Sequence, residues 1–211
     1  AEPVEFSVQV TAGERTVGID AFGAAYVERS VPISAASFDP SYASGVRWTE
    51  DGELRFVPSL FVKTDGGWRA ILKRNGNSIY TVIASSPTFA DMSGHWAKSD
   101  VERLASRLIV QGADEGAFMP ERTVTRAEFA ALIVRALGLD DRSVPGFSDV
   151  RAGDWHYGAI GAVYEAGLVS GYEDGTFRPD LAVTRQELAV FIRRALEYAG
   201  QPAFSGNAEA R

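Results

Sequence analysis

An internal repeat constrains this chain more than any other feature of its sequence. When the second half is compared with itself at a shift of 59 positions, 15 of the 42 residues in 96–137 are identical to their counterparts in 155–196. Two segments that share so many residues at one offset are expected to form two copies of one structural unit. An upstream match between 89–91 (Phe-Ala-Asp) and 147–149 (Phe-Ser-Asp), with a one-residue insertion, extends each unit to about 50 residues.

Each unit is predicted to fold as a helix, a loop and a second helix. Apolar residues at positions i, i+3, i+4, i+7 and i+8 predict a first helix over about 99–110, with its counterpart over 157–167. The loop that follows carries two glycines, which reach positive φ easily, and it closes with Phe-x-Pro. The apolar positions are Val101, Leu104, Ala105, Leu108 and Ile109, and the loop glycines are Gly112, Gly116, Gly171 and Gly175.

The second helix of each unit begins with a capping box, at 125–128 and at 184–187, in which threonine and glutamate satisfy each other's backbone amides. The residues with this structural role are Thr125, Glu128, Thr184 and Glu187. The arginines inside the boxes, Arg126 and Arg185, oppose the helix dipole, so their repetition suggests a functional role rather than helix stability. A guanidinium beside free helix amides is suited to bind a carboxylate, which makes these arginines the strongest site candidates.

Several of these motifs, in the same order in both units, resemble the S-layer homology repeat, a cell-wall anchoring module of Gram-positive surface proteins. The shared motifs are Phe-x-Asp, a tryptophan before the first helix (Trp96 and Trp155), a glycine-rich loop, and the Thr-Arg-x-Glu box. The second unit matches closely through Gly171-Tyr-x-Asp-Gly-Thr-Phe-Arg-Pro179, whereas the first lacks the tyrosine and the loop arginine. The resemblance covers about residues 89–199, roughly half of the chain.

The resemblance implies a pseudo-threefold bundle of repeats whose grooves bind a secondary cell-wall polysaccharide, commonly bearing pyruvylated N-acetylmannosamine. With two repeats, part of that groove system is expected, together with an exposed apolar helix face that offers a surface for self-association. The ligand-binding candidates are Arg126, Arg185, Trp96, Trp155, Arg178, Asp91 and Asp149. A place in the core is an equal alternative for the tryptophans, a turn cap is favoured for the two aspartates, and Arg178 is equally suited to brace its loop.

The first 87 residues show no helical period and are predicted to form a sandwich-like or Ig-like β domain of six or seven strands. Segments 6–10 and 60–64 alternate apolar and polar residues, and 79–83 is rich in β-branched and aromatic residues. Asp-Gly pairs at 51–52 and 65–66 predict two tight hairpins. The role of this domain is left open between a spacer, a self-assembly domain and a separate carbohydrate-binding module.

The predicted fold class is therefore α+β as separate domains, an all-β domain followed by two helical repeats. The predicted domains are 1–87 for the β domain, 88–142 for the first repeat, 143–200 for the second, and 201–211 as a linker or tail toward a third repeat. The boundary near 87 is the point at which the hydrophobic period changes from that of strands to that of helices.

Composition narrows the possible functions. A net charge of −7 repels the phosphate backbone of nucleic acids, and no apolar run reaches the roughly 18 residues of a membrane-spanning helix. The absence of cysteine excludes disulfides and thiolate chemistry. His95 and His156 do not occupy equivalent repeat positions, which argues against a shared catalytic or metal site, and no cofactor is expected.

Two rival functions are disfavoured by the pattern of acidic residues. The acidic loops at 114–116 and 173–175 lack the ligand spacing of a calcium loop. A glycoside hydrolase needs two convergent carboxylates, whereas acidic residues shared by both repeats suit multivalent binding better than a single catalytic site. The sequence therefore predicts a non-catalytic anchoring module at the extracellular cell wall or S-layer surface, with S-layer self-assembly as the alternative.

Overall fold

The computed structural model describes residues 2–34, 37–113, 116–144 and 146–201. The chain divides into two compact units, Ala1–Arg122 and Thr123–Arg211. The segment 202–211, which forms most of the predicted linker, lies outside the described residues.

The strand-rich part of the first unit contains nine strands within the residues described. They are β1 (Val4–Phe6), β2 (Val8–Ala12), β3 (Arg15–Ile19), β4 (Val27–Ile33), β5 (Ala43–Trp48), β6 (Leu54–Val57), β7 (Ser59–Thr64), β8 (Gly67–Arg74) and β9 (Ser78–Ala84). One sheet has the order β1-β9-β5-β6 and another the order β4-β8-β7, while β2 and β3 form a separate hairpin. Every pairing between these strands is antiparallel.

The two larger sheets share one hydrophobic core. Val31 and Leu72 of the three-stranded sheet and Val57 and Tyr80 of the four-stranded sheet are each at most 2% exposed and belong to the same buried cluster. Inward side chains that alternate with outward ones on two facing sheets define a sandwich. The predicted β-sandwich-like architecture is therefore confirmed, and both Asp-Gly hairpins form as predicted, between β5 and β6 and between β7 and β8.

The strand count and one strand assignment were wrong. Residues 6–10 do not form a single strand, because the chain breaks its ladder at Ser7 and changes partners there. β1 pairs with β9, whereas β2 turns back on β3 in the isolated hairpin. The alternation of apolar residues continues through the break, so the period alone did not reveal it.

The four helices repeat with the sequence offset. They are α1 (Lys98–Ser106), α2 (Arg126–Leu137), α3 (Tyr157–Glu165) and α4 (Arg185–Tyr198). In the described part of the chain, no helix combines the length and the apolar character needed to cross a membrane. With the strand-rich region before them, these helices confirm the α+β class.

The first helix of each repeat is shorter than predicted. Both α1 and α3 end about two to four residues early, because the chain enters the left-handed region at Leu108 (φ 57°) and at Gly167 (φ 70°). These two residues are equivalent in the repeat. Apolar residues beyond the turn, such as Ile109, keep the helical spacing although the helix has ended.

The two loop glycines of each repeat have different reasons to be glycine. Gly116 and Gly175 adopt positive φ, 89° and 77°, as predicted. Gly112 and Gly171 do not, so the prediction for them was wrong. A Cβ at Gly171 would lie 2.2 Å from the ring of Phe147, and the loop therefore needs the absent side chain for close packing rather than for its dihedral angle.

The second unit is organised around contacts between α2 and α3. Its core includes Ala130, Ile133 and Val134 of α2 together with Ile160 and Val163 of α3. Ile133 and Leu137 of α2 are buried, whereas their repeat counterparts on α4, Ile192 and Leu196, are 45% and 39% exposed, so an apolar stripe of α4 is partly exposed as predicted.

Gly161 of α3 packs closely against the backbone of the segment that follows α2, and a substitution can test this contact. A Cβ there would lie 2.1 Å from the carbonyl oxygen of Arg142. Alanine is favoured over glycine by about 1 kcal/mol inside a helix, but the clash with backbone is larger, so Gly161→Ala is expected to destabilise the chain by about 2 kcal/mol. Thermal unfolding by circular dichroism measures this loss. The matched control is Gly153→Ala, where a Cβ meets no atom within 4 Å, and an equal effect of the two substitutions would contradict the packing argument.

Candidate functional site

An aspartate at the start of each repeat holds the Phe-x-Pro loop of that repeat. The carboxylate of Asp149 accepts hydrogen bonds from the backbone N–H groups of Phe177 and Arg178, at 2.8 and 2.7 Å. The matching contacts in the first repeat run to Asp91 from Phe118 (2.9 Å) and Met119 (2.7 Å). Both aspartates therefore hold a loop 27 to 29 residues further along the chain rather than the turn that directly follows them. The two amide donors hold the pKa of Asp91 below its ordinary value.

The carboxylates stabilise an unusual backbone. Met119 and Arg178 are equivalent residues, and both have left-handed φ values, 59° and 57°. This conformation costs a residue with a side chain roughly 1–2 kcal/mol. Two hydrogen bonds from an ionised acceptor offset that cost, because bonds to a charged group are stronger than neutral ones.

Both predicted capping boxes form. Thr125 and Thr184 each accept from the backbone N–H of the glutamate three residues on, and Glu128 and Glu187 each accept from the N–H of their threonine. The next amides of α2 are also satisfied, because Arg126 N–H and Ala127 N–H donate to backbone carbonyls of the second repeat.

These carbonyls belong to Leu181 and Pro179, at 2.9 and 3.0 Å. The helix amides beside Arg126 are therefore not free to bind a carboxylate, which corrects the sequence-based argument for that residue. At the start of α4, by contrast, the amides of Arg185 and Gln186 have no backbone acceptor among the described residues.

Arg126 crosses from the first repeat into the second. Its side chain is 3% exposed and forms an ion pair with Glu187 of α4. Its Nε donates to the carbonyl oxygen of Phe177 at 2.9 Å, and its Nη2 donates weakly to that of Ser170 at 3.4 Å. The guanidinium also lies over the ring of Tyr172, 4.8 Å from the centroid. The repeated arginine thus has a structural role in the first repeat, which the sequence did not indicate.

The carboxylate of Glu187 accepts hydrogen bonds from three different residues. It accepts from the Thr184 amide at 2.9 Å, from the Tyr172 hydroxyl at 2.9 Å, and from Arg126. Partial burial raises the pKa of Glu187, but the bonds from Thr184 and Tyr172 and the charge of Arg126 outweigh burial and hold the pKa below its ordinary value. The pKa of Tyr172 is raised by desolvation and by its bond to this carboxylate.

A cleft opens beside this ion pair. Its volume is about 200 Å3, and it runs along one face of α4 within the second unit. The residues that line it are Arg126, Ser170, Gly171, Tyr172, Gln186, Glu187, Val190, Phe191 and Arg194. The cleft combines apolar surface with hydrogen-bonding and charged groups, which is the composition of a binding site for a small polar ligand.

The remaining predicted site residues lie outside the cleft lining. Trp96 and Trp155 are 87% and 68% exposed, so both are surface residues and not core. Arg185 is exposed at the start of α4. Arg178 pairs with Asp174 at 2.9 Å and stacks on Tyr172, with its Cζ 4.0 Å from the ring centroid, and so braces its own loop.

Sequence reasoning missed three cleft residues, Tyr172, Gln186 and Arg194. Arg194 was visible as a repeat identity with Arg135, but its position in a helix interior gave no reason to separate it from the other surface charges. Tyr172 and Gln186 replace alanines of the first repeat, so a search for shared residues passes over them. A difference between the repeats was the signal for these two.

Metal binding has no support in the residues described. No group of three or more histidine, aspartate or glutamate side chains is placed there to hold an ion. In the acidic loop 173–175, Asp174 accepts instead from Thr176 and Arg178, and these bonds lower its pKa to about 2. Asp114 and Glu115 of the other acidic loop lie outside the described residues.

Comparison with known families agrees with the repeat. Residues 88–130 and 146–189 match the model of the S-layer homology domain, so the chain carries two domains of that family. These segments contain the aspartate-held loops, the capping boxes and most of the cleft.

Three relatives illustrate where such domains occur. The "Surface layer protein" of Brevibacillus choshinensis is 33% identical over 165 residues, which are 71% of this chain and 15% of that protein. The "Cellulosome-anchoring protein" of Acetivibrio thermocellus is 38% identical over 120 residues, 54% of this chain and 27% of the relative. The "Amylopullulanase" of Thermoanaerobacterium thermosulfurigenes is 44% identical over 122 residues, 57% of this chain and 6% of the enzyme. The chain thus spans between 6% and 27% of these relatives, and its likeness to the enzyme is confined to a small segment.

The Arg126–Glu187 pair predicts unequal effects of two equivalent substitutions. Arg126→Ala is expected to lower the free energy of unfolding by about 3 kcal/mol, because it leaves the partly buried Glu187 without its cation. Arg185→Ala removes the same residue type from the same helix position, yet its side chain is exposed, so a change within about 0.5 kcal/mol is expected. Urea unfolding followed by circular dichroism measures both. Equal losses would show that the ion pair is not the source of the stability.

The lowered pKa values predict loss of stability in acid. Asp91, Asp174 and Glu187 have folded-state pKa values below their ordinary ones, so their contribution is complete above about pH 5 and is lost as pH falls toward about 2. Glu187→Gln is expected to lower the melting temperature at pH 7 and to flatten its dependence on pH below 5. Glu173→Gln, which removes an exposed charge from the acidic loop 173–175, is the control. A full acid dependence in Glu187→Gln would contradict this assignment.

Proposed function

We propose that this chain is a non-catalytic anchoring module that binds a secondary cell-wall polysaccharide at the extracellular surface of a Gram-positive cell. The observation that carries the proposal is the pair of S-layer homology domains with a polar cleft beside the second. The names of the relatives, a surface layer protein and a cellulosome-anchoring protein, support the same setting.

The cleft favours an anionic sugar. Arg126 and Glu187 neutralise each other, and Arg194 leaves one net positive charge among the lining residues. The chain as a whole has a net charge of −7, so this local positive charge is not part of a generally basic surface. It would favour an anionic ligand at the cleft. A pyruvyl ketal supplies the carboxylate that such a site would take, and we propose a pyruvylated glycan as the ligand.

The predicted surface residues outside the cleft are proposed as further sugar contacts, each within its own repeat. Trp96 and Trp155 present exposed indole rings, on which the C–H faces of sugars pack. The exposed guanidinium of Arg185, with two helix amides beside it, offers a further anion contact. Asp91 and Asp149 enter the proposal as groups that each hold the Phe-x-Pro loop of their own repeat.

The other predicted parts of the chain keep proposed roles as well. We assign the role of a spacer to the β domain (1–87) and the role of binding repeats to 88–142 and 143–200. Self-association through the exposed stripe of α4, at Ile192 and Leu196, is the proposed assembly, because it would bury this apolar surface. S-layer self-assembly, with the β domain as a separate carbohydrate-binding module, is the alternative function.

Cell-wall pull-down tests the proposal. The chain is mixed with walls that carry a pyruvylated secondary polymer, with walls stripped of that polymer, and with walls whose polymer lacks the pyruvyl group. Binding to the first preparation alone is expected, with Arg185→Ala several-fold weaker because one charge-assisted contact is lost. Equal binding to stripped walls would overturn the polymer as ligand. Equal binding to walls without pyruvyl groups would overturn the carboxylate as the recognised group.

A further inference from the structure

Each of the three side-chain nitrogens of Arg126 already donates a hydrogen bond within the protein. Its Nε, Nη1 and Nη2 donate to Phe177, Glu187 and Ser170, and its side chain is 3% exposed. An anionic ligand would have to displace Glu187 in order to reach this guanidinium. Displacement would leave a carboxylate beside the incoming anion, which is a repulsive arrangement. Arg126 is therefore poorly suited to touch the ligand of the cleft it lines.

Arg194 is placed differently in the same cleft. Its side chain is half-buried, and within the described part of the chain its one polar contact is a long hydrogen bond to the carbonyl oxygen of Leu168, at 3.4 Å. The neighbouring Arg193, by contrast, forms an ion pair with Glu197 on the exposed side of α4. Of the two cations that line the cleft, Arg194 is thus the one whose charge no carboxylate of the described residues balances.

The helix spacing puts Arg194 in line with the other cleft groups of α4. Gln186, Val190 and Arg194 are four residues apart, so they lie on one face of the helix. Gln186 and Arg194 are eight positions apart, which corresponds to about 12 Å along the helix axis. The floor of the cleft therefore offers an amide at one end, apolar surface in the middle and a guanidinium at the other end.

We propose that Arg194 is the residue that binds the anionic group of the ligand in this cleft, with Arg126 as a positioning residue that acts through Glu187. This inference rests on the proposed function and names the contact within it. A sugar would lie with its apolar face on Val190, its carboxylate on the guanidinium of Arg194, and its hydroxyls near Gln186 and Tyr172. The planar fork of arginine matches a carboxylate with two parallel hydrogen bonds.

The polar set is complete in the second repeat alone. The sequence counterparts of Tyr172 and Gln186 are Ala113 and Ala127, whereas the counterpart of Arg194 is Arg135. The first repeat thus keeps the cation position and loses the neutral hydrogen-bonding groups. Recognition of the sugar hydroxyls is accordingly assigned to the cleft of the second repeat.

Substitutions at two adjacent arginines test the assignment. Arg194→Gln retains much of the side-chain length and removes the charge, Arg194→Lys retains the charge and removes the fork, and Arg193→Gln is the matched control on the same helix. For each full-length variant, the protein concentration that half-saturates walls with a pyruvylated polymer is measured at low and at high salt. A thermal melting curve of the same variant checks that it is folded.

Arg194→Gln is expected to bind roughly 10- to 100-fold more weakly and to lose part of the salt dependence. Arg194→Lys is expected to bind with intermediate strength, and Arg193→Gln within about twofold of the unsubstituted chain. The melting temperatures are expected to stay close together. Unchanged binding by a folded Arg194→Gln overturns the inference. If Arg194→Gln does not fold, the test rests on Arg194→Lys. Unchanged binding by Arg194→Lys would then contradict the proposed two-bond contact between the guanidinium and the carboxylate.

The result separates this inference from the proposed function. If the unsubstituted chain fails to bind walls that carry the polymer, the proposed function is wrong. If that chain binds and Arg194→Gln binds equally well, the proposed function stands and the role of Arg194 is wrong.

Discussion

The ion pair between Arg126 and Glu187 joins the two repeats through a single carboxylate. Glu187 closes the capping box of α4, accepts the hydroxyl of Tyr172, and neutralises an arginine that belongs to the preceding repeat. The start of α4 and the position of the Tyr172 ring therefore depend on this side chain, which also adds an ion pair to the backbone hydrogen bonds between α2 and the second repeat. Arg126 and Glu187 both line the cleft, so their pairing also contributes to the shape of the cleft.

Interactions that are local in sequence were the ones that could be predicted. The capping boxes and the Asp-Gly hairpins are set by residues within four positions of each other, and both appear as expected. The partner of Arg126 lies 61 residues away, so the spacing pattern identified the arginine but not its role. Gly171 is a second example, because the ring that excludes a Cβ there comes from Phe147, 24 positions earlier at the start of the repeat.

The two repeats share a scaffold and differ in surface chemistry. Helix positions, capping boxes and aspartate-held loops recur at the same offset, whereas the groups that would distinguish one ligand from another do not. The residues that are identical between the repeats are therefore mainly those that form the shared helices, capping boxes and loops. Specificity has to be sought at the positions where the repeats disagree, which for this chain are found on the loop that carries Tyr172 and in the first turn of α4.

The left-handed loop residue shows how such divergence is tolerated. Asp91 and Asp149 hold the backbone at Met119 and Arg178 through main-chain amides, so this hold does not depend on the side chain at that position, although Arg178 adds a contact to Asp174 in its own loop. A thioether in one repeat and a guanidinium in the other are thus compatible with an identical loop. The position acts as an interchangeable display site, where a protein built from such modules can acquire new surface chemistry without a change in its framework.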